Sequence, residues 1–351
     1  KHGPLECAFT RDEETGLTGA EAMPSDFLQG RMMVNLDNEE EGYIFVSCAG
    51  GCRTAATFHY EDEAVEDGMF FVRLTIKGLT GGHSGDDINK MRANANKLLA
   101  RFLYMQQAKT DLRLADIQAG GLHNAIPREA SCLVSVPYAY KEQIRIDWNI
   151  YQANVEEEYS RTEQSMEFIL ESEEAPKTII DKKTSRNLIL ALQAVDNGIY
   201  AMCQDIDLVE TSSNLANVRK NEVDHTIVVN SSQRSSILSA RHNMAATIRA
   251  AFELAGAEVE SGEGYPGWKM NPNSKLLVVA VEQYKKLYAK DPFVGGIHAG
   301  LECGLFSEKF PGMDMVSLGP TMRGVHSPDE RMHIPSVQLV WDHLLAILAN
   351  I

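Results

Sequence analysis

Residues 31–51 read RMMVNLDNEEEGYIFVSCAGG, and this stretch decides the fold. Its two apolar segments, 31–36 and 42–48, have the length and composition of buried strands. The glycine pair Gly50 and Gly51 follows the second segment, and glycines in such a position mark a break between elements. We therefore predict two strands that belong to one layer, which ends at a boundary near residue 50.

The residues before this stretch predict more of the same layer. Residues 5–10 (LECAFT) have the pattern of a buried strand, and residues 18–27 have the pattern of a helix. Strands that alternate with helices are typical of an α/β fold with a mainly parallel sheet. Because the chain starts with Lys and passes directly into a strand, we expect further residues of this layer upstream.

Beyond residue 51 strands and helices no longer alternate strictly, which favours an inserted α+β domain. Strands are predicted at 54–60, 70–77, 111–117, 130–138, 165–173, 208–215 and 223–230, and helices at 86–103, 140–158, 184–195 and 239–255. After residues 265–268 (YPGW) the α/β pattern returns, with helices at 274–288 and 335–351 and a strand at 315–318. The sequence predicts an α/β catalytic domain (1–50 and 267–351) that is interrupted by an α+β lid domain (51–266).

Composition excludes several classes of protein. The 33 Lys and Arg residues against 49 Asp and Glu residues give a net charge of −16, which disfavours binding to nucleic acid. The longest apolar runs are far shorter than the roughly 20 residues that span a bilayer, so no membrane partner is expected. Six cysteines in 351 residues are few, which favours a reducing, cytoplasmic setting over a disulfide framework.

Three carboxylates come at the ends of predicted strands. Glu13 and Glu14 follow the first strand, and Asp37 follows the second. Neighbouring residues that leave a strand point in opposite directions, so one glutamate can bind a metal while the other acts as a base. The carboxyl ends of parallel strands are the usual place for a site in an α/β sheet. The alternative is a solvated acidic turn with no chemical role.

Histidines in glycine-rich loops are the second group of candidates. His326 lies in a Gly/Pro-rich loop before the last helix, and imidazole is a common zinc ligand. His83 lies in GLTGGHSG (78–85), and His298 in IHAGLECG (297–304). A cluster of glycines suggests a close approach of the backbone to another group. The alternatives are a histidine without a role and a simple glycine-rich turn, while a Cys303 nucleophile lacks an evident base.

Eight motifs in this order carry a resemblance that covers the whole chain: KHGPLE (1–6), TRDEETG (10–16), LDNEEEG (36–42), KGLTGGHSG (77–85), NAIPREA (124–130), YPGW (265–268), HAGLECGLF (298–306) and GPTMRGVHSPDE (319–330). The chain resembles the di-zinc metallopeptidases that include the aminoacyl-histidine dipeptidases, peptidase T, peptidase V and carnosinase. The resemblance implies a catalytic α/β domain with two zinc ions, which cobalt or manganese could replace, and a lid domain. It also implies a small dipeptide as substrate and a homodimer.

The resemblance assigns a role to eight residues. It implies that Glu13 is the general base, that Glu14 and His326 bind one zinc, and that Asp37 binds the other. It also implies that His83 approaches the scissile carbonyl and that Arg234 binds the substrate carboxylate. Asn124 and His298 are expected to face the substrate. The expected reaction is hydrolysis of dipeptides, particularly Xaa-His such as β-alanyl-histidine. The alternatives are a related amidohydrolase for N-acyl amino acids and an inactive scaffold.

The resemblance also implies that further metal ligands precede residue 1. Each zinc takes about four ligands, and the family carries a His-x-Asp segment and a bridging Asp before the KHGPLE motif. We therefore expect the 351-residue chain alone to be inactive.

Overall fold

The computed structural model describes residues 2–13, 16–325 and 329–351. The helices are α1 (Thr18–Ala22), α2 (Ala95–Gln107), α3 (Lys141–Glu158), α4 (Lys182–Ala194), α5 (Leu238–Leu254), α6 (Lys275–Tyr288), α7 (Glu302–Lys309) and α8 (Ile334–Leu348). The first strands are β1 (Met32–Asn35), β2 (Tyr43–Cys48), β3 (Gly50–His59), β4 (Asp62–Ala64), β5 (Met69–Lys77), β6 (Gly82–His83), β7 (Arg113–Gly120), β8 (Ala125–Ile126), β9 (Ala130–Pro137) and β10 (Glu167–Glu173). The later strands are β11 (Thr178–Ile180), β12 (Gly198–Met202), β13 (Val209–Asn221), β14 (Thr226–Ser235), β15 (Glu258–Ser261), β16 (Phe293–Ile297), β17 (Asp314–Ser317), β18 (Met322–Arg323) and β19 (Arg331–Met332).

The smaller sheet has four strands in the order β1-β17-β2-β16. The pairs β1/β17 and β2/β16 are parallel, and β17 meets β2 in one antiparallel pair. Side chains of β2 alternate between two cores: Ile44 and Val46 pack with Leu276 of α6, whereas Phe45 packs on the core that contains Phe306 of α7. The predicted α/β layer with a mainly parallel sheet is confirmed.

The larger sheet has nine strands, and all its pairings are antiparallel. Eight of them lie in the order β10-β5-β9-β7-β13-β14-β3-β15, and β12 pairs with the N-terminal part of β13. Helices α2, α3, α4 and α5 supply side chains to one continuous core with this sheet, including Phe102, Trp148, Leu188 and Phe252. This is the α+β architecture that the sequence predicts for the middle of the chain. No helix in the described part of the chain combines the length and the apolar character that crossing a membrane requires.

The two sheets are joined where the chain crosses between them twice. Strand β2 continues through Ala49 into β3, and the returning segment pairs with it: Cys48 and Trp268 exchange two backbone hydrogen bonds of 2.9 Å, and Tyr265 donates at 2.9 Å to Gly51. Gly50 fits here because a Cβ on it would lie 2.5 Å from the backbone nitrogen of Gly267. The crossing is therefore a paired, two-segment connection.

The structure differs from the sequence predictions at several places, including three predicted elements. Residues 5–10 form no strand: Phe9 is 92% exposed, and no described strand pairs with this segment. Helix α1 ends at Ala22 rather than at residue 27, because Pro24 disfavours the helical conformation of Met23 before it, which is extended. Helix α2 begins at Ala95 rather than at residue 86, since the Asn94 side chain accepts the first free backbone N–H groups.

Candidate functional site

Asp37 lies just beyond the carboxyl end of β1, as predicted. Its backbone N–H donates to Asn35 Oδ1 at 3.2 Å, and the Ser317 hydroxyl of β17 donates to the same oxygen at 2.7 Å. The next residue, Asn38, donates its backbone N–H to the carbonyl of Leu318 at 3.2 Å. These bonds hold an exposed carboxylate at the edge where the parallel strands β1 and β17 both end.

Glu13 lies in a tight turn rather than after a strand. Its carbonyl accepts hydrogen bonds from Gly16 at 3.2 Å and from Leu17 at 2.9 Å. Asp12 and Leu17 on either side have φ values of 55° and 62°, so left-handed residues flank the turn. The prediction that strand geometry sends Glu13 and Glu14 in opposite directions is therefore wrong in its premise, because the described residues 2–13 form no strand. Glu14 itself lies outside the described residues.

Only one of the predicted metal ligands lies within the described residues. Glu14 and His326 both lie outside the described residues, and Asp37 is the described member of the set. Within the described ranges, no three His, Cys, Asp or Glu side chains come together in an arrangement that could hold a metal ion. The chemistry of the predicted set, two carboxylates and one imidazole, is that of zinc ligands.

A buried thiol and a buried carboxylate lie near Asp37. Burial raises the pKa of Cys303 well above its usual value, and Cys48, Asp37 and Glu302 raise it further. Cys303 is therefore a protonated thiol, which agrees with the argument against a cysteine nucleophile. Glu302 is 8% exposed, and its Oε1 has no hydrogen-bond partner among the described residues. The sequence pattern alone does not mark Glu302 as a candidate, although it lies in the HAGLECG motif.

The His83 loop is held against the smaller sheet by a glycine. Gly85 is buried, and a Cβ on it would lie 3.1 Å from the carbonyl carbon of His298 and inside contact distance of the carbonyl oxygen. His298 follows β16 of the smaller sheet, whereas His83 belongs to β6 of the insert. The glycines of this loop therefore permit contact between the two parts of the chain, which favours the functional interpretation over a simple turn.

His83 is oriented from both sides of its ring. Its backbone N–H donates to Asp87 Oδ2 at 2.8 Å, and its Nδ1 lies 3.3 Å from the Asp86 carboxylate. Arg234 Nη2 donates to Nε2 of His83 at 3.4 Å. The ring is about one third exposed, so it is fixed by these contacts and still accessible.

Arg234 is nearly buried and lies beside Tyr265. It is 8% exposed, and its Nη1 donates to the Tyr265 hydroxyl at 3.0 Å. On the sheet, Arg234 of β14 pairs with Gly51 of β3. A Cβ on Gly51 would lie 2.8 Å from the Tyr265 hydroxyl, so glycine at this position leaves the space that the tyrosine occupies.

His298 connects the two sheets directly. It is 4% exposed, and its Nε2 forms a 2.7 Å hydrogen bond with the hydroxyl of Ser212 on β13. Burial, aided by the charge of Arg234, lowers the pKa of His298 to about 3. The imidazole is therefore neutral at physiological pH and serves as an uncharged polar bridge.

Asn124 and its neighbour His123 complete the group on the insert. The Asn124 carbonyl accepts the backbone N–H of Ser84 at 2.8 Å, so this segment supports the His83 loop. His123, which sequence analysis missed, forms a short hydrogen bond with Arg53. Burial lowers the pKa of His123, and Arg53, Arg234 and His83 lower it further.

The structure thus gathers four of the predicted residues between the two sheets, namely His83, Asn124, Arg234 and His298. The charge of Asp37 contributes to the raised pKa of Cys303, which follows His298 by five residues in the chain. The insert contributes a cationic and imidazole-rich group of side chains, and the smaller sheet carries the Asp37 carboxylate at its edge. The cationic group suits a small molecule with a carboxylate at one end.

Comparisons with known proteins identify the family and fold of the chain. The family model described as Peptidase family M20/M25/M40 matches residues 1–350. The chain is 40% identical over 352 residues to the cytosol non-specific dipeptidase of Escherichia coli K12, covering 100% of this chain and 72% of that protein. Its structure matches that of the aminoacylhistidine dipeptidase of Vibrio alginolyticus with a TM-score of 0.93 and 38% identity, covering 97% of this chain and 70% of that one.

Proposed function

The chain belongs to peptidase family M20/M25/M40, and from this premise we propose that it hydrolyses dipeptides with a free C-terminal carboxylate. The observation that carries the proposal is the cluster of His83, Arg234 and His298 between the two sheets. The relatives named above are dipeptidases, and one is named for aminoacylhistidine substrates. We therefore include Xaa-His, such as β-alanyl-histidine, among the substrates.

We propose the following roles for the residues of the insert. Arg234 binds the substrate carboxylate, because a guanidinium group matches a carboxylate in charge and shape. His83 donates from Nε2 to the carbonyl oxygen as negative charge develops there, once Arg234 exchanges its contact with that nitrogen for the substrate carboxylate, and this stabilises the transition state. Asn124 and His298 contact the polar groups of the peptide, and the neutral His298 can do so without repelling Arg234.

For the catalytic domain we propose Glu13 as the general base, and Glu14, Asp37 and His326 as ligands of two metal ions, of which zinc best suits this donor set. Such ions supply an activated water and polarise the carbonyl of the bond to be cut. Glu13 takes a proton from the attacking water and returns it to the leaving amine.

We also propose three properties of the whole molecule. The paired crossing at Cys48/Trp268 and Gly51/Tyr265 supports a division into a catalytic domain (1–50 and 267–351) and a lid domain (51–266). The protein forms a homodimer, which light scattering after size exclusion tests. It acts in the cytoplasm, as the name of the E. coli relative says of that protein.

A substrate panel tests the proposed function. The full-length protein, supplied with metal, is assayed against dipeptides, including β-alanyl-histidine, against the same dipeptides with amidated C-termini, and against N-acetyl amino acids. We expect cleavage of free dipeptides and much weaker cleavage of the amides. Preferential cleavage of N-acetyl amino acids would instead identify an amidohydrolase, and a full-length protein that neither takes up metal nor cleaves any of these substrates would identify a scaffold.

A further inference from the structure

A second guanidinium group lies on the same face of the larger sheet as Arg234. Arg53 of β3 pairs with Ser232 of β14, and two residues along the strands Gly51 pairs with Arg234. Directly paired residues, and residues two apart on a strand, project from the same face of a sheet. Arg53 and Arg234 are therefore diagonal neighbours on one surface.

His123 holds Arg53 in this position. Arg53 Nη2 donates to Nε2 of His123, so the neutral imidazole carries its proton on Nδ1. Burial lowers the pKa of His123, and Arg53, Arg234 and His83 lower it further, while Arg234, the diagonal neighbour of Arg53, donates to His83. Arg53 is thus one member of a group that also contains the residues proposed to bind the substrate.

The charges of this group are unbalanced. In the part of the chain that the structure describes, neither Arg53 nor Arg234 forms an ion pair with a carboxylate, although the protein has 49 acidic residues. Arg234 is 8% exposed, and its buried Nε has no hydrogen-bond partner among the described residues. Two guanidinium groups held together, one of them buried, are unfavourable unless an anion joins them.

Arg234 has only some of its N–H groups left for a ligand, and a second arginine adds further donors. Its Nη1 already donates to Tyr265 and its Nη2 to His83, so each has one hydrogen left for a ligand. Arg53 is exposed, and only one of its three nitrogens, Nη2, donates to His123. The two side chains together can therefore donate to both oxygens of one carboxylate.

We propose that Arg53, positioned by His123, is a second substrate-binding residue that shares the C-terminal carboxylate of the peptide with Arg234. This inference rests on the proposed function and names the part of the substrate that this surface recognises. Arg53 touches the carboxylate, and His123 acts through Arg53. The pair accordingly contributes to selection of free peptides over peptides with a neutral C-terminus.

Kinetics with a dipeptide and its C-terminal amide test the proposal. A charge-assisted hydrogen bond contributes on a scale that corresponds to about a ten- to hundredfold change in binding. We expect Arg53→Met to raise KM for the dipeptide by about this factor, with less change in kcat, and to leave KM for the amide unchanged. The matched control is Arg249→Met on α5, whose contact is with Glu253 on the same helix.

Two variants of His123 separate positioning from a structural role. His123→Leu removes the acceptor for Arg53 and should raise KM for the dipeptide. His123→Gln supplies an amide oxygen at a similar reach and should restore most of the affinity. If Gln and Leu raise KM equally, the positioning role of His123 is overturned.

A binding measurement keeps the test independent of turnover. Calorimetry compares leucine, a product-like amino acid, with leucinamide on metal-loaded wild type and Arg53→Met. We expect the substitution to weaken leucine binding alone. Equal affinities of both proteins for leucine, or an equal loss for leucinamide, would overturn the role of Arg53. A wild type that binds leucine through Arg53 and cleaves no dipeptide would overturn the proposed function instead.

Discussion

Replacing Gly85 with alanine tests whether contact between the His83 loop and the His298 loop matters for activity. The added Cβ would lie 3.1 Å from both the carbonyl carbon of His298 and Cε1 of His83, and closer to the His298 carbonyl oxygen. Carbon atoms in contact ordinarily lie about 3.5–4.0 Å apart. Since the obstacle is backbone, the loop must retreat from the smaller sheet by roughly 1 Å.

That displacement predicts a large effect on turnover and a smaller one on stability. A misplacement of about 1 Å at a reacting centre can cost about a hundredfold in rate. Overpacking of a buried position costs about 1–3 kcal/mol. We therefore expect Gly85→Ala to lower kcat for dipeptides by about a hundredfold, while the protein remains folded at room temperature.

Steady-state kinetics and thermal denaturation measure the two effects on the same sample. Gly262→Ala is the matched control, because a Cβ there would meet no atom within 4 Å and the residue is exposed. A Gly85→Ala protein with the kcat of the wild type would refute the reasoning, since it would mean that the His83 loop need not contact the smaller sheet. A protein that loses activity only together with its fold would refute the predicted separation of the two effects.

Three further predictions concern single residues of the site. Glu13→Gln should abolish turnover and retain metal, whereas Asp37→Ala should lose metal; equal metal loss, measured by elemental analysis, would contradict the division of roles. His83→Ala should lower turnover by a factor of about 10²–10³ with metal retained. Unchanged turnover would mean that His83 has no role in catalysis and that its loop is only a structural turn. The pKa of His298 is lowered to about 3 in the folded protein, so only the unfolded chain takes up its proton as the pH falls below about 6.5. The free energy of unfolding should therefore decrease as the pH is lowered through that window. Denaturant unfolding at pH 7 and pH 5 measures this decrease, which should be smaller in His298→Gln than in the wild type.

The sequence predicted elements well where side chains alternate or repeat on one face. Strand β2 and helix α6 have such patterns and lie close to their predicted ranges. Strand β16 was missed because its sequence, FVGGI, contains two glycines, which ordinarily weaken a strand. The structure tolerates them there because Gly296 packs directly against the backbone of Ser47 on β2, where a side chain has no room.

The sequence motifs identified single residues of the candidate site, but they did not show which of these residues contact each other. Glycines around His83 signalled a close approach, and the structure supplies the partner, His298, from a distant part of the chain. No local pattern marks Arg53 and His123 as partners, because they lie 70 residues apart, Arg53 on β3 and His123 in the segment after β7. Tertiary pairings of this kind leave no periodic signal in a single sequence.

The paired crossing between the sheets has a consequence for the order of folding. The Ser47 hydroxyl donates to the carbonyl of Trp268, a residue 221 positions later, and β1 and β2 find their parallel partners later still in the chain. Closing so long a loop is entropically costly and slow before the intervening residues are compact. The insert is continuous in sequence, so it can collapse first and bring its two ends together. The smaller sheet then assembles on a scaffold that is already closed, and β16 and β17, which follow the insert, complete the layer that β1 and β2 begin.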